Sequence, residues 1–281
     1  MGAISEAIAA SARNYGAEIV TNATVKRIIN DKDKAIGVEM EDGSILTADI
    51  IVSGCSPHHT FLDLVTNAAV PNDFIKHLET ADISCGAMKI NCAIDKLPNF
   101  LCYPSPENGE SGPMHRGTIH FVSRMEEIEA AYKEASMGRT ATRPILEMTI
   151  PSSLDTTLAP KGKHVAQIFV NFAPYDLDPK FGSWDDPDFK EKFVRRCFSI
   201  IDEFAPNFSK SVIGYDSLSP LDLERIFALP KGNFHHLSLG IHQLLYNRPA
   251  PNYSSYRSPL KALYMCSAGT HPGGGVQVSS S

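Results

Sequence analysis

In 281 residues, 26 Lys and Arg stand against 32 Asp and Glu, for a formal net charge of −6, and this balance argues against a nucleic-acid binder, which ordinarily presents a basic face. No apolar run reaches the length of about 18 residues that a transmembrane helix needs. A hydrophobic content of 43% with 21% charged residues fits an ordinary globular chain with enough material for a core.

In chain order, Ile4, Ala7, Ile8 and Ala12 fall near helical spacing and predict a helix with one apolar face, closed by Gly16. Residues 17–21, "AEIVT", read as a short buried strand. Residues 24–31 and 35–42 read as antiparallel strands about a polar turn at 32–34, and "EDGS" at 41–44 as a hairpin with Asp42-Gly43 in a tight turn. Residues 45–55 end in the run Ile50-Ile51-Val52, which predicts a strand covered on both faces, as in a parallel sheet. This opening is a piece of an α/β layer.

Past "SGCSP" the pattern changes. A helix is predicted over 71–81, a half-buried strand over 86–95, a Pro- and Gly-rich loop over 97–117 and a strand over 118–122. Ser123 with Glu126 reads as a capping box for a helix to about Met137. "PILEMTIP" and "HVAQIFVNF" are strands, and residues 187–204 form a strong amphipathic helix started by Asp185-Asp186-Pro187. Residues 211–220 read as a strand and 220–227 as a short helix. Together these predict a mixed, mostly antiparallel α+β insert, after which residues 262–266 return to buried-strand character.

That last strand runs into Cys266-Ser267-Ala268-Gly269-Thr270-His271-Pro272-Gly273-Gly274-Gly275. Backbone N–H groups in such a turn can approach an anion closely; a plain flexible loop is the equal alternative on spacing alone. The loop is no Walker A motif, and no GxGxxG triple occurs among the 19 glycines. His235, His236, His242 and His271 are not at metal-site spacing and read as solvated or core histidines, so no metal is expected. The six cysteines are scattered without a CxxC and read as reduced thiols of an intracellular compartment. Cys55 and Cys266 each end a strand, where α/β proteins bind ligands, but cysteine is also simply a common buried residue.

Three segments carry more than spacing. "GAISEAIAASARNYGAEIVTNATVKRI", "GVEMEDGSILTADIIVSGCSP" and "PKGNFHHLSLGIHQLLYNRPAPNYSSYRSPLKALYMCSAGTHPGGGV" resemble the FAD-dependent amine oxidase and phytoene desaturase-like oxidoreductases, over residues 2–276. The resemblance implies an α/β plus α+β fold. Residues 1–57 and 251–281 would be a partial FAD-binding, Rossmann-like sheet, and 58–250 the inserted substrate domain. It implies FAD, faced by Gly269, Thr270, Pro272, Gly273, Gly274 and Val276, with the Val25 backbone at the adenine and Ser53 and Gly54 beside the dinucleotide. It designates no catalytic residue. The implied reaction is hydride removal from a C–C or C–N bond of a small apolar or amine substrate, in a mitochondrial setting.

The family's opening strand–GxGxxG–helix unit, which holds the ADP half of the cofactor, has no counterpart here, and "VQVSSS" cannot supply the helix that follows the glycine loop. The expectation is therefore a truncated chain lacking most of its cofactor site, with a protein partner or a second copy open as the completing element. The alternative is a non-catalytic binding or regulatory isoform unable to hold FAD, and a carrier of a carotenoid- or lipid-like ligand is a third reading.

Overall fold

The computed structural model describes residues 2–66, 69–106 and 109–274. In chain order they form α1 (Gly2–Asn14), β1 (Val25–Asp31), β2 (Lys34–Met40), β3 (Ile45–Thr47), β4 (Ile51–Ser53), α2 (Asn72–Thr80), β5 (Ala87–Ile94), β6 (Ile119–His120), α3 (Met125–Ser136), β7 (Ile145–Thr149), β8 (His164–Asn171), α4 (Pro187–Phe204), α5 (Phe208–Ser211), β9 (Val212–Leu218), α6 (Pro220–Phe227) and β10 (Leu263–Met265). They divide into two compact units, residues 1–80 with 245–271 and residues 81–244 with 272–274. No helix of the described residues is long and apolar enough to cross a membrane.

In the first unit β1, β2 and β3 form an antiparallel meander, with Val25 opposite Met40 and Val38 opposite Leu46. Gly43, at φ 84°, makes the tight turn, and the Asp42 carboxylate accepts from the Ser44 N–H at 2.9 Å. β4 pairs with β10 in parallel, matching Ile51 to Leu263 and Ser53 to Met265. Residues 33–35 are tied to the approach to β10 by Lys261 N–H to Asp33 O and Ala35 N–H to Lys261 O, 2.8 and 2.9 Å. Ile28, Phe61, Leu64, Phe74, Leu260 and Leu263 share one core, and the Phe74 ring meets Phe61 and Tyr253 edge-on at 4.9 and 4.7 Å. Residues 58–66 and 69–80 thus pack with the strands of this unit.

Two expectations fail in this unit. Residues 17–21 form no strand; Ile19 and Val20 are exposed, since no strand of the described residues lies alongside to take their hydrogen bonds. Residues 45–55 form two short strands, and Ile50 and Val52 are exposed, 61% and 59%. A two-stranded parallel pair buries only the face that meets the core, so the predicted parallel pairing holds and the two-sided cover does not. The helix α1 closes at Gly16, φ 88°, yet none of its residues is buried.

The second unit is built on a five-stranded sheet in the order β6-β7-β8-β5-β9, antiparallel throughout rather than mixed. Met88, Ile90, Cys92 and Ile94 of β5 alternate into the core with Ala166, Ile168 and Val170 of β8. Phe193, Val194, Cys197, Phe198 and Ile201 of α4 complete it. The range of α4 matches the sequence because Asp186 caps it, accepting from Asp188 N–H, and Pro187 fills the first turn. At α3 the helix starts one residue later than the pattern suggests: Arg124 occupies the N-cap, and Ser123 N–H binds Glu127, not Glu126, at 3.1 Å. The strand expected over 118–122 shortens to the two residues of β6.

Asp222 joins α6 to α4. Its carboxylate accepts from Ser219 N–H and Oγ at the helix start, 2.8 and 2.6 Å, and from Lys190 Nζ of α4 at 2.6 Å. Burial pulls this carboxyl up, but the Lys190 and Ser219 hydrogen bonds outweigh it and hold its pKa below the ordinary 3.8. A depressed carboxylate stabilises the fold above its ordinary pKa and ceases to do so as pH falls through the depressed value.

Two measurements follow from this packing. Phe198→Ala, which empties a site 1% exposed beside Phe208 and Tyr215, lowers the unfolding free energy by about 3–5 kcal/mol in urea titration. Asp222→Asn costs about 1–2 kcal/mol at neutral pH. The gap between variant and parent melting temperatures closes as pH falls below 3.8; a gap independent of pH would show that the ion pair contributes nothing.

Candidate functional site

The parallel pair β4–β10 ends in two turns that meet. Cys266 N–H donates to Ser53 O at 2.9 Å, extending the ladder by one bond, and Ser267 Oγ donates to Gly54 O at 2.9 Å. Ser267 stands at φ 83°, in the left-handed region, and reverses the chain there. Thr270 is fully buried; its N–H and Oγ both donate to Ser267 O, 3.1 and 2.8 Å. Arg248, also fully buried, donates to Ala268 O. Desolvation lowers its pKa from the ordinary arginine value, and a guanidinium nevertheless stays charged.

Four carbonyls of these turns, from Ser53, Gly54, Ser267 and Ala268, are thus engaged by the chain's own donors. That neutralises the negative ends of the local peptide dipoles, with the Arg248 charge beneath them. An anion is favoured at such a surface. Gly54 presents a bare Cα whose nearest obstacle, for an added Cβ, is Cys266 Sγ at 3.7 Å. The His271 ring stacks on Tyr246 at 4.7 Å, and its Nδ1 is buried with no hydrogen-bond partner among the described residues, a polar atom that a ligand can satisfy.

Of the residues the sequence singles out, Ser53, Gly54, Gly269 and Thr270 fall in these turns. Ser53 Oγ is hydrogen-bonded to Thr60 Oγ1 at 2.8 Å, both buried. Val25 sits elsewhere in the unit, as the first residue of β1. Pro272, Gly273 and Gly274 group with the second unit. There a Cβ on Gly274 would lie 2.3 Å from His235 Nδ1, so a larger residue would force the His235 ring to move. Val276 lies outside the described residues. Among the described residues no three His, Cys, Asp or Glu side chains converge as a metal site, and all six cysteines are free thiols.

Arg248 and Thr60 were not legible as site residues. Arg248 sits in "NRPAP" with no motif around it, and its significance comes from contact with a turn 20 residues later.

No family model matches the chain. It is 40% identical over 280 residues to pyridine nucleotide-disulfide oxidoreductase domain-containing protein 2 of Rattus norvegicus, covering 98% of this chain and 48% of that protein. It is 25% identical over 279 residues to the chloroplastic prolycopene isomerase of Arabidopsis thaliana, covering 98% and 42%. The crystal structure of an oxidoreductase from Methanosarcina mazei shares the fold, with a TM-score of 0.57 at 17% identity over 94% of this chain and 48% of that one. The chain spans about half the length of the relatives it matches. Over that half, its sequence is similar to pyridine nucleotide-disulfide oxidoreductase domain-containing protein 2 and, at lower identity, to phytoene desaturase-like oxidoreductases.

Proposed function

We propose that the chain is part of an FAD-dependent oxidoreductase, with the turns after β4 and β10 as its flavin-facing surface. The observation that carries this reading is the pair of turns at the C-terminal ends of two parallel strands, the place where α/β folds bind dinucleotides. Their carbonyls are engaged, a buried guanidinium lies beneath, and a bare Gly54 Cα faces outward. The 40% identity over nearly the whole chain supports it independently.

The donor set fits the group. Thr270 and Arg248 hold the 266–270 turn in one conformation, so that its peptide groups are oriented before a ligand arrives. Ser53 and Thr60 fix the opposite turn. Gly54 lets a flat ring system approach the backbone closely. Val25, at the start of β1, is proposed to meet the adenine through its backbone. FAD, when bound, would supply the hydride acceptor for a C–H bond whose carbon becomes doubly bonded to a neighbouring C or N as that neighbour loses a proton, with oxygen or another acceptor taking the electrons. The chain's own part is to bind, orient and shield. The substrate class is small and apolar, or an amine, and the setting mitochondrial.

The visible absorption spectrum of the purified chain, with and without added FAD, tests the reading. Bound flavin near stoichiometry is the expected result. No flavin even at high added FAD would overturn it and leave a non-catalytic binding or regulatory module. Gly54→Ala sharpens the test: its Cβ meets Cys266 Sγ at an ordinary 3.7 Å, so the melting temperature holds. Flavin affinity is expected to fall about tenfold, about 1.4 kcal/mol.

A further inference from the structure

A cavity of about 260 Å³ in the second unit is lined from α3 and from the segment that follows β8. Tyr132, Ala135 and Ser136 lie three and four residues apart and so share one face of α3. That face brings one ring and two small side chains to the cavity, and Gly138 at the helix end, φ 70°, leaves it open there. Phe172, Tyr175 and Asp176 contribute from the segment after β8. The Tyr132 and Phe172 rings meet edge-on at 5.6 Å.

The polar groups of this lining are engaged within the protein. Ser136 Oγ donates to Lys133 O at 2.8 Å, and the Tyr175 hydroxyl donates to Glu224. Asp176 accepts from Lys231 Nζ at 2.6 Å, and the Lys231 N–H donates to Glu224 Oε1 at 2.8 Å. The Glu224 hydrogen bond, and then burial, pushes the Tyr175 phenol up to about 12, so its ring stays neutral. The carboxylates of Asp176 and Glu224 are thus set against the single ammonium of Lys231. Charges nearby cancel in pairs: Asp178 with Lys180, Arg225 with Asp185, and Arg139 with Glu134. Among these described residues one negative charge is left over, beside rings whose faces are themselves electron-rich. An anion is repelled there, a neutral ligand gains nothing from the charge, and a primary ammonium finds its best acceptors already engaged.

We propose that this cavity binds a quaternary ammonium head of the choline type. Its methyl groups pack on Tyr132, Phe172 and Tyr175, and its charge meets the ring faces and the excess carboxylate without demanding a hydrogen bond. This is binding alone, with no bond made or broken, and it does not depend on whether flavin binds. Cys85 reports it. Its thiol is half-buried and belongs to the cavity lining. Burial pushes it up to about 11, so alkylation there is slow and answers to what covers the sulfur. Cys102 is exposed and serves as the internal control.

The test is alkylation of the native full chain with iodoacetamide, followed site by site by peptide mapping, in choline chloride against equal sodium chloride. Choline is expected to slow alkylation of Cys85 and to leave Cys102 unchanged. Dimethylbutanol, in which carbon replaces the charged nitrogen of choline, is expected to need a concentration about tenfold higher for the same protection. These arms run on the parent and do not hang on a variant's folding. Tyr132→Leu, at a position 55% exposed, is expected to weaken the protection by choline about tenfold as well. Vesicles of phosphatidylcholine separate two sources of the same head group: protection by choline alone assigns the site to a free ion, and protection by both to a lipid. Unchanged alkylation of Cys85 in excess choline would overturn the proposal. So would equal protection by the neutral alcohol, equal slowing at Cys102, or full protection retained in Tyr132→Leu.

Discussion

The hydrogen-bonded pairing of β4 with β10 is the constraint on which the first unit depends. It is non-local: Ser267 and Gly54, which bond just beyond it, are 213 residues apart in sequence. Closing so long a loop costs entropy that grows only slowly with length, but the pair itself is three residues matched to three and cannot hold the ends alone. It is held by what it carries inward. Leu263 and Met265 enter the core that Phe61, Leu64 and Phe74 also fill, and the Lys261–Asp33 and Ala35–Lys261 backbone bonds fasten the approach. The turns that form the candidate site sit on this pair, so their geometry is only as fixed as that core.

The second unit rests on a different kind of order. Its sheet is made of longer strands with an uninterrupted period of two, from Ala87–Ile94 and His164–Asn171, and its main helix runs 18 residues between a side-chain cap and Ala205. Here each local preference agrees with the fold. Asp186 and Pro187 start the helix, Ser219 and Asp222 start the next, and Lys190 connects the two. Agreement of this kind is what lets sequence patterns specify structure.

That contrast explains what could be read in advance. The ranges of α4 and α6 and the positions of β5 and β8 follow from capping and periodicity, which are local. Residues 17–21 have the composition of a strand and form none, because strand formation depends on a partner that composition cannot supply. Ile50 and Val52 read as buried for the same reason: an apolar run reports what a segment could bury, and the neighbours decide. Three Asn-X-Ser/Thr matches, at Asn22, Asn207 and Asn252, place their asparagines at φ 55°, 71° and 70°. Asparagine tolerates the left-handed region through its short side chain, so each of these residues has a structural reason for its identity.

For the candidate site, the glycine-rich turn is visible as a pattern and Ser53 only through the resemblance, whereas the contacts that fix the turn are not. A glycine-rich turn with its carbonyls unengaged would repel an anion as readily as its N–H groups attract one. Arg248, Ser267 and Thr270 remove that ambiguity by occupying the carbonyl oxygens of Ala268, Gly54 and Ser267. Each of these donors acts on a peptide group, so substitution changes the turn's conformation and its electrostatic face together. Ser267 and Thr270 act within a few residues of the turn or directly across the strand pair, and Arg248 is the one brought in from a separate stretch of chain. Its burial is costly for a guanidinium, and the carbonyl of Ala268 is one acceptor that offsets the cost. The same residue thereby fixes the turn and sets its charge, which a lysine, with a single ammonium in place of a planar fork, could not do in the same place.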